Sequence, residues 1–162
     1  METIDSLRGS DGGFDKSSIM KIIPYNDYFL MIDKVTFLDK TKIIATKTIS
    51  MDEDYLKGHF VGFPIMPGAL IIEGMGQTGT LLVRYNLENH QSKDILAYKI
   101  KDTKFASPAF PGDTLTYEIS LVGKDDRGAL LTGKAMVNDR RVSETTLMLA
   151  IVNSADFRKR YQ

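Results

Sequence analysis

The residues best suited to chemistry lie together in the segment 58–73, which is rich in glycine and proline. His59 stands in a glycine-flanked loop, and imidazole readily accepts a proton near neutral pH. Glu73 falls in the second turn of the apolar helix that follows, where burial favours a neutral carboxyl group that can donate a proton. Gly68, at the start of that helix, offers an uncovered backbone N–H that suits polarisation of a carbonyl group. Together they suit proton abstraction beside a carbonyl group with departure of a hydroxyl group.

Each of these residues also has an ordinary structural interpretation, which for Gly68 is close packing or a turn. A single loop histidine is more often structural, and a glutamate on an apolar helix can reach solvent or an arginine such as Arg84. Gln77 shares the helix face of Glu73 one turn later, and it either holds that carboxyl group or packs as an amide. The clustering of candidates in one short segment favours a functional site. His90 follows the helix among polar residues, so we predict that it is exposed and has no chemical role.

The composition excludes several classes of site. The chain has 162 residues, enough for one domain with a substantial core. It contains no cysteine, which excludes disulfides, thiolate zinc sites, iron–sulfur clusters and cysteine nucleophiles. Its 21 lysine and arginine residues balance 21 aspartate and glutamate residues, so no general attraction to nucleic acid or to a membrane surface is expected.

The sequence predicts no targeting or membrane-spanning segment. Residues 1–16 lack the apolar run of a signal peptide, and the longest apolar stretch, Ala69–Val83, is interrupted by Glu73 and Gln77. A cytoplasmic location is therefore the expectation.

Hydrophobic periodicity predicts one long helix and a series of antiparallel strands. Apolar residues lie nearly all round the stretch 69–85, which is typical of a helix buried on most sides. A short helix capped by Ser17 or Ser18 is predicted to end at Pro24. The strand candidates, separated by turn-forming residues, are 28–38, 42–50, 95–105, 115–121, 130–137 and 142–152.

These elements indicate an α+β fold in which a curved antiparallel sheet wraps round one long central helix. The glycines near residue 10 are typical of turns and linkers. We therefore predict a flexible leader over 1–16, a single domain over 17–157 and a basic tail over 158–162.

Three blocks of the sequence match the pattern of one enzyme family in order. The central pattern, G-H-F-P-G-x-P-x-x-P-G-x-L-x-x-E followed by a glutamine, is matched by Gly58, His59, Phe60, Gly62, Pro64, Pro67, Gly68, Leu70, Glu73 and Gln77. The upstream block is matched by Pro24, Phe29, Leu30, Asp33 and Val35. The downstream block is matched by Phe105, Pro108, Pro111, Gly112, Asp113 and Leu115. Over about residues 18–152 the chain resembles the 3-hydroxyacyl-[acyl-carrier-protein] dehydratases of fatty acid biosynthesis, the FabZ type, which have a hotdog fold.

The resemblance implies a reaction and a role for each matched residue. His59 would be the catalytic base, Glu73 the acid that assists loss of the 3-hydroxyl group, and the Gly68 N–H the donor to the thioester oxygen. The residues implied to contact the substrate are Phe60, Val61, Gly62, Pro67 and Gln77. Glutamate at position 73 resembles the dehydratases, whereas the related dehydratase–isomerases carry aspartate. No cofactor or metal is implied, because the thioester carbonyl itself acidifies the α-carbon.

The resemblance also implies partners. The substrate would be a (3R)-3-hydroxyacyl group on the phosphopantetheine arm of an acyl carrier protein, and the product a trans-2-enoyl group. Family sites form at a homodimer interface, with the histidine of one subunit facing the glutamate of the other. Three such dimers usually assemble into a hexamer. An acidic carrier protein would meet a basic rim. The candidates for that rim are Lys99, Lys101, Lys104, Arg158, Lys159 and Arg160.

The chain departs from the family pattern at several positions. Val61 and Phe63, close to His59, replace a proline and a residue that is commonly basic or polar, and residues 25–28 replace His-Arg-Tyr-Pro. Three further residues, Gly74, Gly76 and Gly79, place glycine inside the predicted helix. Each costs about 1 kcal/mol of helix stability relative to alanine, and a close approach of the backbone at a dimer seam would explain why glycine is present.

Three alternatives stay open. A hotdog-fold thioesterase would activate a water molecule and release a thiol. A dehydratase of a specialised polyketide or polyene pathway would use the same chemistry on another substrate. A non-catalytic subunit would bind acyl chains without turnover, although a subunit of that kind has no chemical need for both His59 and Glu73.

Overall fold

The computed structural model describes residues 3–162, in which one seven-stranded antiparallel sheet packs around a long helix, α2. The strands are β1 Phe14–Asp15, β2 Lys34–Leu38, β3 Lys42–Thr48, β4 Lys93–Phe105, β5 Thr114–Lys124, β6 Gly128–Val137 and β7 Arg140–Asn153. The helices are α1 Lys16–Ile22, α2 Gly68–Tyr85 and α3 Ser154–Tyr161. The strand order is β1-β2-β3-β5-β6-β7-β4, and α2 contacts each strand from β3 to β7. This is the predicted α+β arrangement.

The core lies between α2 and the inner face of the sheet. In β5, Leu115, Tyr117 and Ile119 are fully buried, and the residues between them are partly exposed. This period of two places one face of the strand on the core. The middle and end of α2 are buried nearly all round, as the apolar pattern predicted. Within residues 3–162, no helix is both long and apolar enough to cross a membrane.

Two glycines allow α2 to approach the sheet closely. A Cβ atom at Gly74 would overlap the phenol group of Tyr117, and one at Gly79 would lie 2.8 Å from Cδ1 of Leu131. Both contacts are made within one chain, so the predicted dimer seam does not explain these two positions. A Cβ atom at Gly76 would meet no atom within 4 Å.

We expect opposite effects from alanine at two of these glycines. Gly74→Ala should lower the free energy of unfolding by about 1–3 kcal/mol, because Tyr117 is fully buried and its displacement strains the core. Gly76→Ala should raise it by up to about 1 kcal/mol, because alanine favours helix and the added methyl group meets open space. Urea unfolding of both variants is the measurement, and equal shifts in the two would contradict this packing.

Residues 3–15 pack on the sheet, which corrects the predicted flexible leader. Ile4 and Phe14 are buried, and β1 pairs with β2. Arg8 donates to the carbonyl oxygen of Leu38 at 3.0 Å, and its guanidinium group lies 4.8 Å from the ring centroid of Phe14. Local glycine content indicated the turn, but these long-range contacts order the segment. Residues 1 and 2 of the predicted leader lie outside the described residues.

The start of α1 and the first predicted strand also differ from expectation. Asp15 caps α1 by accepting a hydrogen bond from the Ser18 N–H at 2.8 Å, so neither Ser17 nor Ser18 is the cap. The strand predicted over 28–38 begins only at Lys34. The residues before it bond to a side chain of α2, as described below.

The basic end of the chain is helical. Asn153 caps α3 by accepting a hydrogen bond from the Asp156 N–H at 3.1 Å, and Arg158 lies 3.4 Å from a carboxylate oxygen of Asp94. The predicted tail over 158–162 therefore forms the second half of α3 and its end, continuous with the domain.

Candidate active site

A tight turn holds the loop that carries His59. Phe60 and Phe63 exchange two backbone hydrogen bonds of 3.0 Å, and Gly62 between them has a φ of +74°. Glycine adopts this backbone conformation without the steric cost that other residues incur. The N–H of Ile65 then donates to the carbonyl oxygen of His59 at 2.9 Å, which closes the loop before α2.

The imidazole ring of His59 is oriented by a backbone carbonyl group. Its Nδ1 atom lies 2.9 Å from the carbonyl oxygen of Ile65. A carbonyl oxygen only accepts hydrogen bonds, so Nδ1 carries the hydrogen and Nε2 of the neutral ring keeps a free lone pair. The ring also stacks on Phe60, with 4.2 Å between centroids. This geometry allows His59 to accept a proton at Nε2.

Glu73 and Gln77 are neighbours on α2, as their spacing predicted. Gln77 Nε2 donates to Glu73 Oε1 at 3.0 Å, and the glutamate is partly buried. Because Oε1 accepts this hydrogen bond, Oε2 is the oxygen atom left to face a substrate. Arg84, offered by the sequence as a partner for Glu73, instead donates to the carbonyl oxygens of His90 and Lys93 at 2.7 and 2.8 Å.

Gln77 joins Glu73 to the segment that crosses α2. Its Oε1 atom accepts a hydrogen bond from the Met31 N–H at 2.8 Å, and Nε2 also donates to the Phe29 carbonyl oxygen at 2.9 Å. These bonds satisfy backbone groups that a longer β2 would otherwise use. Gln77 is fully buried, and its predicted contact with substrate stays a prediction. Its geometry is that of a residue that positions Glu73.

Removing the amide of Gln77 should cost both stability and rate. Gln77→Leu leaves the buried Met31 N–H without an acceptor, so the free energy of unfolding should fall by about 1–3 kcal/mol. Loss of the bond to Glu73 should lower kcat about tenfold. The matched control is Thr78→Val, because Thr78 is equally buried and its hydroxyl group, among the described residues, bonds only to Gly74 of the same helix. A Gln77→Leu protein with wild-type kcat would contradict the positioning role.

Gly68 supplies a free donor at the start of α2. Its N–H has no acceptor within residues 3–162, whereas the carbonyl oxygen of Pro67 accepts from the N–H groups of Leu70 and Ile71. The first N–H groups of a helix lack intrahelical partners and carry partial positive charge, which favours a developing oxyanion. Glu73 lies about 7.5 Å further along the helix axis.

The remaining residues predicted to contact substrate lie around the loop and the helix start. Phe60 and Val61 are exposed, Gly62 forms the turn, and Pro67 is the residue before α2. Val61 and Phe63 both depart from the family pattern: Val61 stands at the tip of the turn, and Phe63 closes it. They leave the contact of His59 with the backbone in place.

The structure brings Gly68, Glu73 and Gln77 together on one helix and places His59 on a separate loop. Within residues 3–162, no hydrogen bond joins His59 to Glu73. The sequence patterns did not predict the contact between Phe105 and Gly68, in which the ring of Phe105 lies against the first residue of α2. Phe105 belongs to the downstream family block, which was the available signal, but the contact itself depends on long-range packing.

His90 is partly buried, which corrects its predicted exposure. Its Nδ1 atom is buried without a hydrogen-bond partner. Burial and then the nearby charge of Arg84 lower the pKa of His90, so the ring is neutral at pH 7. In the part of the chain that the structure describes, no group of three or more His, Asp or Glu residues is placed to hold a metal ion.

Solved structures share this fold at low sequence identity. The dehydratase heterocomplex ApeI:P from Xenorhabdus doucetiae has a TM-score of 0.75 at 14% identity, covering 89% of this chain and 97% of that one. A thioesterase from Haemophilus influenzae has a TM-score of 0.61 at 15% identity, covering 77% and 80%. These similarities support the predicted hotdog fold, and they do not by themselves choose between the two reactions.

Sequence similarity gives the family. A family model described as the FabA-like domain matches residues 23–146. The 3-hydroxyacyl-[acyl-carrier-protein] dehydratase FabZ of Koribacter versatilis is 34% identical over 139 residues, covering 85% of this chain and 89% of its own. The enzyme of that name from Sulfurimonas denitrificans is 38% identical over 145 residues, covering 86% and 97%. The chain therefore belongs to the FabA-like family and is similar over most of its length to FabZ-type dehydratases.

Proposed function

We propose that this protein dehydrates 3-hydroxyacyl groups carried on acyl carrier protein and forms trans-2-enoyl groups for fatty acid biosynthesis, in the cytoplasm. The observation that carries the proposal is the orientation of His59, whose Nδ1–H is bound to Ile65 so that Nε2 is free to act as a base. The similarity to FabZ dehydratases at 34–38% identity supports the same reaction.

Each proposed catalytic group has one task. His59 Nε2 removes the α-proton, and the electron pair forms the C2–C3 double bond. Glu73 Oε2 gives its proton to the 3-hydroxyl group, and the C3–O bond breaks with release of water. The Gly68 N–H donates to the thioester oxygen while negative charge develops there, a contribution of about 10²–10³ in rate for comparable donors. The proton taken by His59 returns to Glu73 through solvent, which restores both groups.

Conversion of a 3-hydroxyacyl-[acyl-carrier-protein] tests this function. The purified protein should yield a product lighter by one water, with the thioester intact, until the hydration equilibrium is reached. Release of the acyl group as a free acid with a free carrier thiol would instead identify the thioesterase alternative. Binding without either change would identify the non-catalytic subunit.

We further propose that two chains complete each site as a homodimer, in which His59 of one subunit faces Glu73 of the other. The absence of a bond between them within the described residues supports this arrangement. So does the exposed surface around the loop, where Phe60 is 53% and Val61 is 89% exposed. The outer edge of β4, the last strand of the sheet, also exposes Tyr98 and Ile100. A second copy would cover these apolar groups, and trimers of such dimers are the larger assembly to test.

The carrier protein is the proposed partner of the basic rim. Lys99 and Lys101 are exposed on β4, and neither forms a salt bridge in the part of the chain that the structure describes. Lys104 and Arg158, also proposed for the rim, lie 3.6 Å from Glu144 and 3.4 Å from Asp94. Lys99 and Lys101 alternate with Ile100 along β4 and so lie on the opposite face of the strand, which leaves them open to an acidic carrier protein when a second copy covers Ile100.

Charge reversal on the basic rim should distinguish recognition of the carrier protein from recognition of the acyl group. Lys99→Glu with Lys101→Glu should raise KM for a carrier-bound substrate about tenfold and leave KM for the coenzyme A thioester unchanged. High salt should remove the difference, because it screens exposed charges. Lys124→Glu, an exposed charge outside the proposed rim, is the control. An equal rise for both thioesters would contradict carrier docking on β4.

A further inference from the structure

The ring of Phe105 lies against the first residue of α2. A Cβ atom at Gly68 would lie 2.6 Å from Cε1, 2.9 Å from Cδ1 and 3.1 Å from Cζ of that ring. Real Cβ atoms do not approach other atoms that closely, so any larger residue at position 68 must displace the ring. Phe105 is nevertheless 58% exposed, so most of its surface faces away from the packed interior.

The end of β4 directs this ring onto the helix. The register of β4 against β7 shifts between Lys101 and Lys104, and Asp102 within the shift has a φ of +53°. Bulges of this kind re-aim side chains, and aspartate tolerates the left-handed conformation better than most residues. Beyond the bulge, Ser143 Oγ donates to the Lys104 carbonyl oxygen at 2.9 Å, which fixes the residue before Phe105.

The start of α2 is tied to the same part of the chain. The N–H of Met66 donates to the carbonyl oxygen of Ala109 at 2.9 Å, and the N–H of Ala106 donates to the carbonyl oxygen of Val142 at 2.9 Å. The first bond ties the chain just before Gly68 to the segment after β4, and the second ties the residue after Phe105 to β7. The ring and the free N–H are therefore held in one fixed relation.

We propose that Phe105 is a positioning residue that forms one wall of the site in which the Gly68 N–H binds the thioester oxygen. This inference rests on the proposed function. The ring borders the only N–H-bearing residue proposed for that oxygen, and an apolar wall keeps water from competing for the donor. A hydrogen bond to developing charge is stronger where water is excluded. The ring also explains why position 68 is glycine, because a side chain there would take the place of the ring.

Three single variants and one control variant test the wall. Phe105→Ala and Gly68→Ala should each lower kcat for hydration of a 2-enoyl thioester about 10–100-fold, because each separates the ring from the N–H, and KM should change less than about threefold. Gly68→Ala keeps its backbone N–H, so its loss of rate measures displacement of the ring. Phe105→Leu retains apolar bulk and should recover part of kcat. Phe37→Ala, which removes another exposed phenylalanine from β2, should leave kcat unchanged.

The double variant Gly68→Ala with Phe105→Ala tests whether the two substitutions lower kcat through the same contact. We expect its kcat to be no lower than that of either single variant, because both substitutions break one contact and their effects are then not additive. Multiplied losses, or a folded Phe105→Ala protein with wild-type kcat, would overturn the inference. If circular dichroism shows that Phe105→Ala does not fold, wild-type kcat in a folded Gly68→Ala protein would overturn it equally, because the added Cβ atom must displace the ring. An inactive wild-type protein would refute the proposed function instead.

Discussion

Replacing His59 by alanine should lower kcat for hydration of a 2-enoyl thioester by about 10²–10⁴-fold, the usual contribution of a positioned general base. His59 is partly exposed on its loop, and its ring makes one hydrogen bond, so the variant should fold. Stopped-flow or steady-state absorbance of the enoyl group measures the rate, and circular dichroism checks the fold.

The second histidine provides the matched control for this experiment. His90→Gln keeps the backbone carbonyl group that Arg84 binds, and the residue lies beyond the far end of α2 from Gly68. It should retain wild-type kcat. Equal activity of the His59→Ala and wild-type proteins would show that the base lies elsewhere.

Glu73→Gln should also lower kcat by about 10²–10⁴-fold, because an amide cannot donate a proton to the departing hydroxyl group as an acid does. The variant keeps a side-chain oxygen that can accept the hydrogen bond from Gln77, so the geometry of the helix should survive. Glu118→Gln, on the outer face of β5, is the control and should keep full rate. Undiminished turnover by the Glu73→Gln protein would refute its role as the acid.

The two inactive variants together test the dimer. If each site takes His59 from one chain and Glu73 from the other, random pairing of His59→Ala and Glu73→Gln subunits should restore about a quarter of wild-type activity. Half of the dimers are then mixed, and each mixed dimer has one intact site. If both groups act within one chain, the mixture should stay as inactive as its parts.

Local sequence patterns predicted the helices and strands that are specified by their own residues and do not depend on distant contacts. The helix around Glu73 and the strands of the second half follow from apolar periodicity and turn residues. The segment before β2 looked equally strand-like, but Gln77 supplies its hydrogen bonds and so replaces a neighbouring strand. The N-terminal residues looked like a linker because their order depends on the distant contact of Arg8 with Leu38.

The candidate site likewise combines a contact that local spacing indicates with contacts that depend on the folding of distant segments. The pairing of Glu73 with Gln77 is a one-turn helix contact, so spacing alone indicated it as one of two possibilities for Gln77. The orientation of His59 depends on a loop closure that spacing does not determine. The contact of Phe105 with Gly68 joins the edge strand to the helix start, and only the folded chain brings them together.

The most direct test of the dehydratase assignment is the absorbance of a 2-enoyl thioester in water, followed with the wild-type protein and with His59→Ala. We expect the wild-type protein to consume the enoyl absorbance and form the 3-hydroxyacyl thioester, and the variant to leave the absorbance almost unchanged. No loss of absorbance with the wild-type protein, on both coenzyme A and carrier-protein thioesters of several chain lengths, would contradict the assignment.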